Sequence, residues 1–296
     1  MNDTDQQRGT VVVTGVSTGI GRAIAEDLMA AGYTVFGSVR RLNDASHLSN
    51  THGRRFVPLL FDVTDAAALP GAVETVAQAL RGAPLTALVN NAGISLSGPL
   101  MHQPLEEFRQ TFEVNVFGVL QVTRAFLPLL GAAARPVARP GRIVNIGSVA
   151  GAMTVPFMGA YSASKHALEA VSQALRRELI PYGIEVSTIE PSFIRSSIFE
   201  KTALLLKERS YRDTHYEAMW QQFNRALIEQ EASAKPPQKV TRAVLHAIES
   251  KRPRTRYPLD AAWYVGRWAS DRLFDKIILK SLGIHRMIRD AAGPAT

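Results

Sequence analysis

Thr10-Val11-Val12-Val13-Thr14-Gly15-Val16-Ser17-Thr18-Gly19-Ile20-Gly21 is the stretch that sets the architecture. The β-branched run Thr10 to Thr14 has the length and composition of a short buried strand. After Gly21 a helical pattern runs from Arg22 to Ala31. The glycines between them let the backbone turn tightly and come close to a pyrophosphate, and the free N–H groups at the helix start favour its negative charge. A ligand-free tight turn is the plain alternative, but a strand before and a helix after supply the context a dinucleotide loop needs.

The same alternation continues outward. Strands are expected at Tyr33–Val39, Phe56–Phe61, Leu85–Val89, Arg142–Ile146 and Gly183–Ile189, with a last short one near Thr255–Tyr257. Helices separate them at Ala66–Leu80, where Thr64 or Asp65 offers a cap, at Leu105–Leu130, bent around Asn115 to Gly118, at Tyr161–Tyr182 and at Val240–Ser250. Five α/β alternations through the sixth strand predict an α/β fold. It is a Rossmann-like doubly wound parallel sheet of about seven strands with right-handed crossovers, a single domain over residues 9–258.

The 296 residues carry 34 Lys or Arg against 26 Asp or Glu, a net +8 that permits contact with a polyanion without requiring it. There are no cysteines, which excludes disulfides, thiolate ligands and Cys nucleophiles. The seven histidines have no metal-ligand spacing, and no metal or nucleic-acid partner is expected. The polar start of the chain lacks a secretion signal and no apolar run approaches a bilayer span, so a cytoplasmic protein, soluble or peripheral to a membrane, is expected.

Several residues have chemistry suited to a site. The second strand ends in Arg40-Arg41 with no acid nearby, which suits the 2′-phosphate of NADP(H) better than the bare ribose of NAD, and Gly37 and Ser38 leave space beside it. Asn115 lies among Val114, Val116 and Phe117, so its amide is expected to be buried and to need partners. Tyr161 and Lys165, four apart on a helix, project together, and a nearby ammonium brings a phenol's pKa toward neutrality. Alone, that spacing is as well explained by a solvated pair.

The T-G-x-x-x-G-x-G loop from Thr14 to Gly21, Asn90-Asn91-Ala92-Gly93, Asn115, Ser148 and Tyr161 with Lys165 together resemble the classical short-chain dehydrogenase/reductases. The resemblance implies that Gly15, Ser17, Thr18, Gly19, Ile20 and Gly21 wrap the cofactor's adenosine ribose and pyrophosphate. Asp62, with Val63, would meet the adenine, and Asn90, Ala92 and Gly93 would lie along the cofactor. It implies a catalytic set of Asn115, Ser148, Tyr161 and Lys165, the lysine lowering the Tyr161 pKa and holding the nicotinamide ribose while Asn115 keeps a bend and a water. Pro191, Ser192, Ile194 and Ser196 would meet the nicotinamide, although the family usually has glycine at 192 and threonine at 196.

Segment 193–235 matches the family's variable substrate lid and is amphipathic. Residues 259–296 form a basic, aromatic-rich extension; ten Lys or Arg stand against four Asp over 251–296. Such a tail suits contact with anionic lipid, and equally a cover over the pocket or a subunit interface. It resembles the retinol and hydroxysteroid dehydrogenase-like branch, which implies a hydrophobic substrate and carbonyl–alcohol interconversion with NADP(H), in a homodimer or homotetramer. A 3-oxoacyl thioester reductase and a non-catalytic cofactor sensor or membrane scaffold are the alternatives.

Overall fold

The computed structural model describes residues 8–132, 138–195 and 211–281. Ser196, part of the lid segment and the end of the extension fall outside them. Seven strands form one parallel sheet: β1 (Thr10–Val13), β2 (Thr34–Val39), β3 (Phe56–Leu60), β4 (Ala87–Asn90), β5 (Arg142–Ile146), β6 (Glu185–Glu190) and β7 (Arg256–Pro258). Their order is β3-β2-β1-β4-β5-β6-β7. The order reverses between β1 and β4, and such a switch point opens a crevice at the carboxyl ends of the strands.

Side chains alternate along each strand, so one strand feeds two cores. Val11 and Val13 face α1 (Gly19–Ala30), through Ile24 and Leu28, and α8 (Gln238–Glu249), through Val240 and Val244. Val12 joins the opposite core with Val76 of α3 (Leu69–Leu80), Val122 and Phe126 of α5 (Val119–Phe126) and Leu175 of α6 (Gly159–Glu178). Both faces of the sheet are therefore covered, as purely parallel sheets require. A short α2 (Ser46–His52) joins β2 to β3.

The expected long helix is present in three pieces. α4 (Leu105–Phe112) runs into a π-helical turn, Glu113–Gly118, and then α5. The expected cap on α3 is not there: the helix begins at Leu69, with Ala68 at the cap position. Asp65 instead closes the preceding turn, its Oδ1 accepting from the backbone of Ala67 and Ala68 at 3.0 and 3.3 Å. The acid takes up the local N–H groups three residues before the cap position.

After β6 and the described part of the lid, α7 (Glu217–Ala232) packs an aromatic cluster of Trp220 and Phe223 on Phe157. The extension folds as α9 (Ala261–Trp268) and α10 (Asp271–Ser281). Ile278 and Leu279 of α10 lie against that aromatic cluster. Among the described residues no helix is long and apolar enough to cross a membrane.

Candidate active site

The cleft over the sheet's carboxyl edge has a volume of about 540 Å³. Its floor is the loop after β1. Gly15 sits at φ 70°, a conformation that favours glycine, and a Cβ on Gly21 would collide with the Gly15 carbonyl and the Asn91 amide. The loop is tied on two sides. Gly15 N donates to Ser38 Oγ at 2.9 Å, and Asn91 Nδ2 donates to the carbonyls of Thr14 and Gly15 at 2.9 and 3.1 Å. Thr14 Oγ1 in turn accepts from the backbone of Asn91 and Ala92. A glycine cradle at a helix N-terminus, with Arg40, Asp62 and Val63 further along the cleft, fits a dinucleotide.

Gly15, Ser17, Thr18, Gly19, Ile20, Gly21, Arg40, Asp62, Val63, Ala92, Gly93, Pro191, Ser192 and Ile194 all line this cleft, as do Ser148, Tyr161 and Lys165. Two expected contacts are corrected. Asn90 turns its side chain into the sheet, donating to Thr123 Oγ1 at 3.0 Å and Asn145 Oδ1 at 2.9 Å, and Asn91 takes the cleft position. Strand alternation decides this, because neighbouring residues point to opposite faces. Arg41 starts the turn after β2 exposed to solvent and off the cleft, leaving Arg40 there. Nor does Gly37 leave room for a ligand; it makes room for the Phe56 ring and Val16.

The catalytic candidates converge. Ser148 follows β5, its Oγ accepting from Ala150 N at 3.1 Å, and it lines the same cleft as the Tyr161 phenol. Tyr161 and Lys165 stand one turn apart on α6, with the Lys165 Nζ 5.8 Å from the Tyr161 ring centre. Asn115, fully buried in the π-helical turn, accepts from Ile94 N at 2.9 Å and donates to Ile94 O at 2.9 Å and Ser164 Oγ at 3.0 Å. Both its N–H donors are thus spent on bracing. Ser164, which the sequence did not single out, links this brace to the backbone carbonyl of Tyr161 at 2.7 Å. A π-helical turn at such a place is a common mark of function.

Burial pushes the Tyr161 phenol up, and Ser148 offsets this only in part. The Lys165 ammonium donates to the Ile146 carbonyl at 2.9 Å. Lys165 is itself brought down to about 8 by burial, while the carboxyls of Glu190 and Glu169 pull the other way. The phenol is therefore protonated at neutral pH and the ammonium labile.

An apolar wall faces this group: Met153, Val155, Met158, Phe193, Phe223, Leu227 and Ile278. Ile278 brings the extension into the cleft. Ser192 is held by it too, donating to Asp260 Oδ2 at 3.2 Å, which also takes a bond of 2.6 Å from Lys235. Together with its cap on Ala262 N, this holds Asp260 below the usual carboxylate range. These contacts bring the described part of the tail to the edge of the cleft.

A family model described as short chain dehydrogenase matches residues 9–204. An NADPH-dependent 3-dehydrocapnine reductase of Ornithobacterium rhinotracheale is 42% identical over 278 residues, spanning 92% of this chain and 96% of its own. The 17-beta-hydroxysteroid dehydrogenase type 6 of Bos taurus is 33% identical, covering 86% of this chain and 80% of its own. A solved short-chain dehydrogenase from Streptomyces avermitilis matches with a TM-score of 0.74 at 29% identity, over 96% of this chain and 98% of the other. Similarity this broad in sequence and fold leaves one assignment: the chain belongs to the short-chain dehydrogenase family and is an oxidoreductase of alcohols or ketones that uses a nicotinamide cofactor.

Proposed function

We propose that the protein is an NADP(H)-dependent oxidoreductase working on hydrophobic carbonyl compounds, and that its favoured chemistry is reduction to the alcohol. The observation that carries this is the meeting of Ser148, Tyr161 and Lys165 in one cleft with an apolar wall. A phenol, which is protonated at neutral pH, can give its proton to the oxygen that becomes charged in a reduction. Arg40 at the cleft end of β2 would meet the 2′-phosphate, and the NADPH dependence in the name of the Ornithobacterium relative supports that choice.

When bound, the dinucleotide supplies or accepts hydride at its nicotinamide. Ser148 and Tyr161 hydrogen-bond the substrate's carbonyl oxygen. As negative charge grows on that oxygen, Tyr161 transfers its proton to it, leaving a phenolate. The Lys165 ammonium stabilises the phenolate across the short span of one helical turn, and Asn115 and Ser164 keep the two side chains in register. Met153, Phe223 and Ile278 exclude water and select lipophilic substrates.

The test is NADPH oxidation by purified protein against a panel of long-chain 3-keto compounds including 3-dehydrocapnine, steroid and retinoid carbonyls, and 3-oxoacyl thioesters. Turnover of lipophilic ketones or aldehydes is expected, with loss of turnover and retention of cofactor binding in Tyr161→Phe. Unchanged turnover in that variant would overturn the assignment. The protein is proposed to act as a homodimer or homotetramer through α4, α5 and α6, where Leu105 and Phe117 stand exposed.

A further inference from the structure

One helical turn beyond Lys165 the protein buries two carboxylic acids that the reaction above does not use. Glu169 lies four residues on along α6 and shares the lysine's face. Glu190 ends β6, is fully buried and immediately precedes Pro191 at the cleft. Arg256 of β7 approaches both, with Nε 2.8 Å from Glu169 Oε2 and 3.7 Å from Glu190 Oε1. Trp263 of α9 donates its indole N–H to Glu190 Oε2 at 2.6 Å.

Two oxygens are left over. Glu169 Oε1 and Glu190 Oε1 are both buried, and neither meets an N–H or O–H donor. Their carboxyls converge on the one Arg256 guanidinium. Two ionised carboxylates there would repel at close range in a poorly solvated site, each with an acceptor unsatisfied. A single proton between them converts two orphaned acceptors into a donor and an acceptor.

We infer that Glu169 and Glu190 share one proton and act as a positioning pair for Lys165, holding the cluster at one negative charge, balanced by Arg256, and so setting the field at the catalytic ammonium. Both carboxyls are charge-coupled to Lys165. Glu169 also packs beneath the loop that carries Ser148, where Cβ atoms on Gly147 and Gly151 would lie 3.7 Å from its Oε1 and 3.2 Å from its Cγ. Burial and the neighbouring Glu169 push Glu190 well above the usual carboxylate range, which agrees with the shared proton.

The facing groups are Lys165 and Glu169 from α6, Glu190 from β6, Arg256 from β7 and Trp263 from α9. Arg176 joins Glu169 and Arg256 around a cavity of about 10 Å³ on the outer side. Trp263 belongs to the extension, so that segment reaches Glu190 as well as the substrate wall.

The inference rests on Lys165 serving the proton-donating phenol, but two of its three tests are independent of turnover. Infrared spectra of the full-length protein at about pH 8 should contain the carbonyl band of a protonated carboxylic acid, and Glu190→Gln should lack it. Glutamine is a fixed mimic of the protonated form. A carboxyl whose folded pKa lies above its unfolded one contributes stability that is present at low pH and lost as pH rises through the folded value. The melting temperature of Glu190→Gln should therefore gain on the wild type steadily from about pH 5 to pH 9. In activity, the alkaline limb of the kcat profile should move to lower pH in this variant, since position 190 can no longer ionise as pH rises and add its charge to that of Glu169 in support of the ammonium.

A wild-type spectrum without the protonated band overturns the inference even where Glu190→Gln does not fold. So does a variant that melts lower than wild type by the same amount at every pH, which would make Glu190 an ordinary ionised partner of Arg256. An inactive enzyme with the expected band and melting behaviour would count against the proposed function and leave the shared proton standing.

Discussion

Asn115 Nδ2 donates to Ser164 Oγ at 3.0 Å, joining the π-helical turn to the helix that carries Tyr161 and Lys165. Because the same amide exchanges two bonds with the Ile94 backbone, three segments meet at one side chain. Asn115→Ala should cost about 1–3 kcal/mol for each buried group it orphans. Ser164→Ala, which removes one hydroxyl, should cost about 1 kcal/mol. Urea unfolding measures both, and kcat should fall more in Asn115→Ala.

Tyr161→Phe keeps the ring and removes the proton donor. Loss of a positioned general acid lowers turnover roughly 10²- to 10⁴-fold. The dissociation constant for NADPH, read by fluorescence titration, should change little, because the loop from Gly15 to Gly21 and Arg40 are untouched.

Reduction should fall as pH rises through about 8, where buried Lys165 loses its charge. Stability responds with the opposite sign. The folded pKa of Lys165 is depressed, so the contribution it makes is present above its unfolded value and lost as pH falls through about 8. Lys165→Met should abolish the alkaline limb of the rate profile along with most of the rate, and should flatten this part of the melting profile.

Arg40→Ala should raise the Michaelis constant for NADPH far more than that for NADH. Arg41→Ala should do little, since Arg41 stands off the cleft. Equal effects of Arg40→Ala on both cofactors would remove the 2′-phosphate role.

Phe117 is 52% exposed on the π-helical turn, an unusual setting for a large aromatic ring. Phe117→Asp should shift the protein toward monomer in analytical ultracentrifugation if α4 and α5 form the subunit contact. An unchanged distribution would move the interface elsewhere.

The order of strands and helices, the bend at Asn115 and the convergence of Ser148, Tyr161 and Lys165 were legible in the chain itself. These follow from local rules: β-branched runs, glycine loops, helical spacing, and a parallel sheet that brings successive strand ends to one edge. The choice between Asn90 and Asn91 was not, because it depends on which face of β4 looks into the cleft. Arg40 and Arg41 raised the same question at the end of β2.

The four-residue spacing of Tyr161 and Lys165 determined that phenol and ammonium share a helix face. Only the tertiary structure decided what each of them feels. The Ile146 carbonyl takes the ammonium's hydrogen bond, burial keeps the phenol protonated, and Glu169, Glu190, Arg256 and Trp263 gather behind the lysine from α6, β6, β7 and α9. Desolvation and charge coupling depend on what surrounds a group in three dimensions, and residues 73 to 87 positions apart, as in the Trp263–Glu190 and Arg256–Glu169 bonds, leave no periodic signal in the chain.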